Sequence, residues 1–148
     1  VAGYSGTPLA QKLGIKPGAV LLLVGAPPGF AVPGLPDGVL TRTAPDPDEP
    51  FDVAVWFPAG RAEYETRLAE LRAAMGQAAG LWLAWPKRAA RKAAAGKAAG
   101  PAAGLATDLD ENVVREVALP TGLVDNKVCA IDETYSGLRL VIRRELRR

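Results

Sequence analysis

The sequence predicts an α/β fold, a mostly parallel sheet covered by helices and ending in a C-terminal antiparallel hairpin. Three observations carry that reading. Ala19 to Ala26 is a continuous apolar run closed by Pro27-Pro28-Gly29, the pattern of a strand buried on both faces. Arg61 to Met75 sets Tyr64, Leu68, Leu71 and Met75 on one helical stripe. The order strand, strand, helix, strand, helix, hairpin is the alternation that parallel sheets with crossover helices require.

The elements follow in order. Thr7 and Pro8 open a short helix, Pro8 at the first helical position, with Leu9 and Leu13 on one face and Gly14 as a left-handed stop. Ala19 to Ala26 is the central strand. Pro33, Gly34 and Pro36 break regular structure, and Val39 to Thr43 is a candidate for a short extra strand beyond those in the order above. Phe51 to Phe57, rich in aromatic and β-branched residues, is a further buried strand. The helix from Arg61 to Met75 leaves through Gly76 and Gly80, and Leu81 to Trp85 is a strand stopped by Pro86. Thr107 or Asp108 caps a helix with Leu109, Val113 and Val117 on its stripe, ended by Pro120 and Gly122. Val124 to Ile131 and Leu138 to Ile142 form the hairpin, with Leu138, Leu140 and Ile142 inward and Arg139 and Arg143 outward. Together these make a small Rossmann-like three-layer sandwich.

Length and composition bound the rest. At 148 residues, 49% hydrophobic and 23% charged, residues 1–148 are expected to form a single domain with a sizeable core. The exception is an Ala/Gly/Lys/Arg-rich insert at about 88–104, expected to be flexible because it has no large apolar side chain to bury. No apolar run reaches the roughly 20 residues a membrane helix needs, and no signal-peptide profile opens the chain, so a cytoplasmic protein is expected. A single cysteine, Cys129, excludes an internal disulfide, and it reads as a small buried apolar residue. The absence of histidine removes the commonest general base and metal ligand.

Four blocks then carry a resemblance. Gly3-Tyr4-Ser5-Gly6-Thr7-Pro8-Leu9 with Lys12 to Ile15, Leu81 to Lys87, Arg115 to Leu119, and Val128 to Leu138 resemble a bacterial family of domains of unknown function, the one numbered 3052. The resemblance spans nearly the whole chain and brings no established activity. Two features depart from the family pattern: the basic insert stands where a short connection is expected, and Tyr135 stands in place of Trp. A looser resemblance is to S-adenosylmethionine methyltransferases, whose sheets also end in an antiparallel hairpin. Gly25-Ala26-Pro27-Pro28-Gly29 departs from their Gly-rich turn, since two prolines lack amide donors, and no acidic residue ends a clear second strand to hold a ribose.

No catalytic constellation is visible. Without histidine, Ser5 has no relay partner and reads as a turn or capping residue, and no phosphate-loop signature occurs. Asp132 and Glu133 are adjacent carboxylates without a third ligand, so neither a metal nor another cofactor is expected. Trp82 reads as core. The candidate ligand site is Trp85, Lys87, Glu133, Tyr135 and Ser136, because the carboxyl ends of parallel strands are where open α/β sheets bind ligands. The two rings would form one apolar wall and Lys87 would supply positive charge. For Asp132 to Ser136 ordinary turn chemistry is the competing reading. The expected function is a non-catalytic regulatory or small-ligand-binding module whose partner is an unidentified small molecule or protein. The alternatives are a degenerate methyltransferase-like enzyme and a weak, sequence-independent nucleic-acid binder acting through the basic insert; specific nucleic-acid binding is not expected.

Overall fold

The computed structural model describes residues 8–87 and 107–147. The first helix, α1, spans Leu9–Leu13 and ends at Gly14 in the left-handed conformation, φ 82°. Pro8 is its N-cap rather than its first helical residue. The remaining elements are β1 (Val20–Val24), β2 (Leu40–Arg42), β3 (Phe51–Trp56), α2 (Arg61–Ala73), β4 (Met75–Pro86), α3 (Glu111–Ala118), β5 (Leu123–Ala130) and β6 (Tyr135–Ile142). The sheet order is β2-β1-β3-β4-β6-β5. The β2, β1, β3 and β4 strands pair in parallel, whereas β6 runs antiparallel to both β4 and β5. This is the mostly parallel, Rossmann-like sheet with a closing hairpin that the sequence predicts.

Strand alternation divides the core into two layers. On one face Leu22, Val24, Ala54, Trp56, Leu81, Leu83 and Trp85 pack against Tyr64, Leu68 and Leu71 of α2 and Val114 and Ala118 of α3. On the other, Leu21, Val53, Val55, Phe57, Trp82 and Ala84 pack against Ala10 and Leu13 of α1 and against Ile15, Val32 and Ile131. Trp82 and Trp85 thus point to opposite faces. The Trp82 indole donates to the Leu13 carbonyl at 3.2 Å and is a core residue.

Four local expectations are corrected. Met75 is the first residue of β4 and not the last of a helix, and Gly76 and Gly80 lie inside that strand. The helix stops early because Phe51 N–H donates to the Ala74 carbonyl, 3.0 Å, which draws the chain into the sheet. Register then shifts, Met75 opposing Phe51 while Gly80 opposes Val53, so that exposed Gln77 and Ala78 bulge outward. The cap of α3 is Asp110, whose Oδ1 accepts from Val113 N–H at 2.9 Å. Asp108 serves α2 instead, accepting from Arg61 N–H at 2.7 Å, a partner 47 residues away that no local pattern reveals. The buried stripe of α3 is accordingly Val114 and Ala118, with Val113 and Val117 only partly buried beside it. The hairpin tip also shortens, because Tyr135, Ser136 and Gly137 already belong to β6.

Candidate functional site

The carboxyl ends of β1, β3 and β4 meet the hairpin turn at one end of the sheet. Gly25 follows β1 at φ 68°, and a Cβ there would stand 2.8 Å from the Phe57 carbonyl oxygen. Glycine is therefore required both by the backbone conformation and by the close approach. Phe57 N–H donates to the Val24 carbonyl at 2.9 Å, fixing the chain beyond β3 against β1. After β4, Lys87 N–H donates to the Thr134 carbonyl at 2.8 Å and ties the strand exit to the turn.

On the α1 face of this end three rings make a chain of edge-to-face contacts. Phe30 and Phe57 lie 5.0 Å apart at 69°, and Phe57 and Tyr135 lie 5.1 Å apart at 87°. Each such pair is worth about 0.5–1.5 kcal/mol beyond the area it buries. Sequence reasoning missed Phe30 and Phe57 as residues of this end. Phe57 reads from the sequence as strand core, and although the turn from Pro27 to Phe30 is local, with Phe30 N–H on the Pro27 carbonyl at 3.0 Å and Gly29 at φ 79°, the packing of Phe30 on Phe57 is a tertiary contact.

The five candidate ligand residues do converge on this end, as the hairpin direction demands. Their side chains divide between the two faces. Trp85 pairs with Ser136 and Pro86 pairs with Tyr135, and directly paired residues share a face, so Tyr135 points away from Trp85. Trp85 is 6% exposed within the α2 and α3 layer, whereas half-buried Tyr135 packs in the α1 layer. The single apolar wall expected of the two rings is not formed; a one-residue offset in register is the reason. Lys87 is half-buried and Glu133 exposed on the turn. Asp132 is committed to the turn, its Oδ1 accepting from Thr134 and Tyr135 N–H at 2.8 Å each.

Two groups here titrate away from their ordinary values. Burial, then the Asp132 charge, raises the Tyr135 phenol. Burial also raises the Cys129 thiol, against the opposing charges of Lys12 and Lys127. Cys129 is half-buried on β5 rather than fully interior. Among the described residues no cluster of three or more His, Cys, Asp or Glu is placed to hold a metal. No described helix is long and apolar enough to cross a membrane. The basic insert at 88–104 and Ser5 lie outside the described residues.

With this geometry in hand, the fold defines a class, the Rossmann-like α/β sheet closed by an antiparallel strand. Solved structures narrow it. A SAM-dependent methyltransferase from Aquifex aeolicus superposes with TM-score 0.56 at 16% identity, covering 90% of this chain and 87% of its own. A cyclopropane-fatty-acyl-phospholipid synthase-like protein from Lactobacillus casei gives TM-score 0.55 at 11% identity, with 90% and 88% covered. Magnesium protoporphyrin IX methyltransferase from Synechocystis, with bound SAH, gives 0.53 at 13%, with 90% and 78% covered. The chain therefore has a methyltransferase-like fold. No family model matches it, so the resemblance to the domain family of unknown function gains no support, and no curated protein matches either.

An adenosyl cofactor bound to this fold would ask for amide donors after β1 and an acceptor for ribose hydroxyls after β2. The chain keeps the close-approach glycine, Gly25, but Pro27 and Pro28 have no N–H to offer. The last residue of β2 is Arg42, a donor, paired to Glu49 at 2.5 Å. Asp46 turns back onto Asp48 N–H at 2.9 Å. These residues do not fit the cofactor in that manner.

Proposed function

We propose that this chain is a reduced methyltransferase-like protein that binds a small molecule at the carboxyl end of its sheet. The observation that carries this reading is the topological switch between β1 and β3. From β1 the sheet extends to β2 on one side and to β3 on the other, opening a crevice beyond the strand ends where open α/β sheets place their ligands. The similarity in fold to structures named as a SAM-dependent methyltransferase and as a methyltransferase with bound SAH supports the methyltransferase-like part of the reading. Gly25, Phe57 and the turn carrying Phe30 are the elements that border it, with Lys87, Tyr135, Ser136, Glu133 and Trp85 around the neighbouring strand ends.

A second reading, the non-catalytic small-ligand or regulatory module, is favoured by two specific observations: the edge-to-face rings occupying the α1 side of this end, and the proline turn that withholds amide donors. No nucleophile with a base partner stands among these residues, which suits binding without turnover.

Titration calorimetry with S-adenosylmethionine and S-adenosylhomocysteine, with amide shift mapping, separates the two. Saturable binding of either with shifts at Gly25 and Phe57, made without the proline-turn amides and without a ribose acceptor at the end of β2, is the expected result for the methyltransferase-like reading. If both compounds are silent while a metabolite screen shifts the same amides, the non-catalytic module is correct. Silence in both experiments removes this end of the sheet as a ligand site.

A further inference from the structure

The opposite, amino-terminal end of the sheet carries a cavity that the reading above does not use. On the α1 face, about 430 Å³ of space is lined by Lys16, Gly18, Asp52, Ala78 and Arg139 among others. A smaller cavity of about 160 Å³ shares Ala78 and Arg139 with it and adds Arg147.

Arg139 is set there by the sheet itself. It alternates with the inward Leu138 and Leu140 on β6, so it projects to the α1 face. Gly80 on β4 leaves it a seat: a Cβ at Gly80 would overlap the Arg139 Nε and come within 2.9 Å of its Cζ. The guanidinium thus lies against the sheet backbone, half-buried, and takes no hydrogen bond or ion pair among the described residues. Asp52 shares the cavity as an acid; its Oδ2 accepts from Val20 N–H at 2.8 Å on β1, and it forms no ion pair with Arg139 among the described residues. Arg147 is held nearby through its own Nε on the Ile142 carbonyl, 2.8 Å, and lines the smaller cavity. Burial, and then the charge of Arg147, push the Arg139 guanidinium below its ordinary value, as two cations held together in partial burial must be. Three cations from three separate segments outnumber the one acid, Asp52, around the two neighbouring cavities: Lys16 and Arg139 line the larger, Arg139 and Arg147 the smaller.

We infer that this cavity is an anion site that takes a small molecule through a phosphate-type oxyanion, with Arg139 as the principal donor. The guanidinium's planar fork suits two oxygens of one group, and partial burial strengthens such charge-assisted bonds. Lys16, on the exposed turn before β1, adds charge to the larger cavity, and Arg147 lines the smaller one beside Arg139.

The test is titration with pyrophosphate and with inorganic phosphate against sodium chloride of matched ionic strength, read by calorimetry and by the amide shifts of Gly18 and Gly80. Saturable pyrophosphate binding with shifts at both glycines is expected. Arg139→Met should weaken it by roughly tenfold or more, the loss of a charged hydrogen-bonding partner, and Arg139→Lys should restore part of it. If Arg139→Met fails to fold, Lys16→Gln, on an exposed turn, is expected to weaken binding about threefold for one lost surface charge. A pyrophosphate response no greater than that of chloride overturns the inference. So does a response unchanged in the folded variants. Because this cavity and the β1/β3 crevice lie at opposite ends of the strands, either site can fail without the other.

Discussion

Substituting Gly25 by alanine isolates what the turn after β1 demands, and Gly14 supplies the control. At Gly25 two costs add. A φ of 68° is unfavourable for an L residue by about 1–2 kcal/mol. The new Cβ would also stand 2.8 Å from the Phe57 carbonyl oxygen, a backbone atom held in place because Phe57 N–H is bonded to Val24. Relieving an overpacked contact of that kind costs about 1–3 kcal/mol. The reduced freedom of the unfolded chain returns about 0.4–1 kcal/mol. The net expectation for Gly25→Ala is a loss of about 2–4 kcal/mol by the sum of these terms. Gly14 has φ 82° and nothing within 4 Å of its would-be Cβ, so Gly14→Ala meets the conformational cost alone and should lose about 1 kcal/mol. Urea unfolding followed by tryptophan fluorescence measures both, since Trp56 and Trp82 are fully buried and will report exposure. Equal losses in the two variants would refute the close-approach argument and leave the β1 and β3 ends free to part.

Two further predictions rest on the same structure. Leu68→Ala, at a position 2% exposed between α2 and the sheet, should cost about 2–5 kcal/mol in urea unfolding; a loss no larger than that of an exposed helix position would mean α2 does not pack as described. Asp125 accepts a hydrogen bond from Arg115 at 3.1 Å, and this, ahead of the opposing effect of burial, holds its carboxyl below the ordinary value. A depressed carboxyl contributes stability above its unfolded pKa, about 3.9, which is lost as pH falls through the lower folded value. Asp125→Asn should therefore flatten that part of the acid limb in a thermal-unfolding series below about pH 4, by a small amount because the pair is only partly buried and keeps contact with solvent; an unchanged acid limb would show the pair contributes nothing.

Local sequence determined the elements whose physics is local. The run Ala19 to Ala26 has no polar residue to expose, so β1 had to be buried on both faces, and the spacing of Tyr64, Leu68 and Leu71 suits a helix with one buried face. The alternation of Leu138, Leu140 and Ile142 likewise specified which face of β6 points inward. Tertiary structure decided whatever depends on a distant partner. Ala74 and Met75 enter the sheet because Phe51 is there to bond them, and Asp108 caps a helix 47 residues earlier in the chain rather than its own. The same holds for the candidate site. Trp85, Lys87 and Tyr135 could be placed at one end from strand direction, but which face each ring takes depends on pairing Tyr135 with Pro86 rather than Trp85. A one-residue step in register reverses every side chain of a strand, and no single strand's pattern contains the register of its neighbour. Arg139 makes the point most directly: its alternation marked it as facing outward, and only the bare backbone of Gly80 beneath it turns an outward arginine into the floor of a cavity.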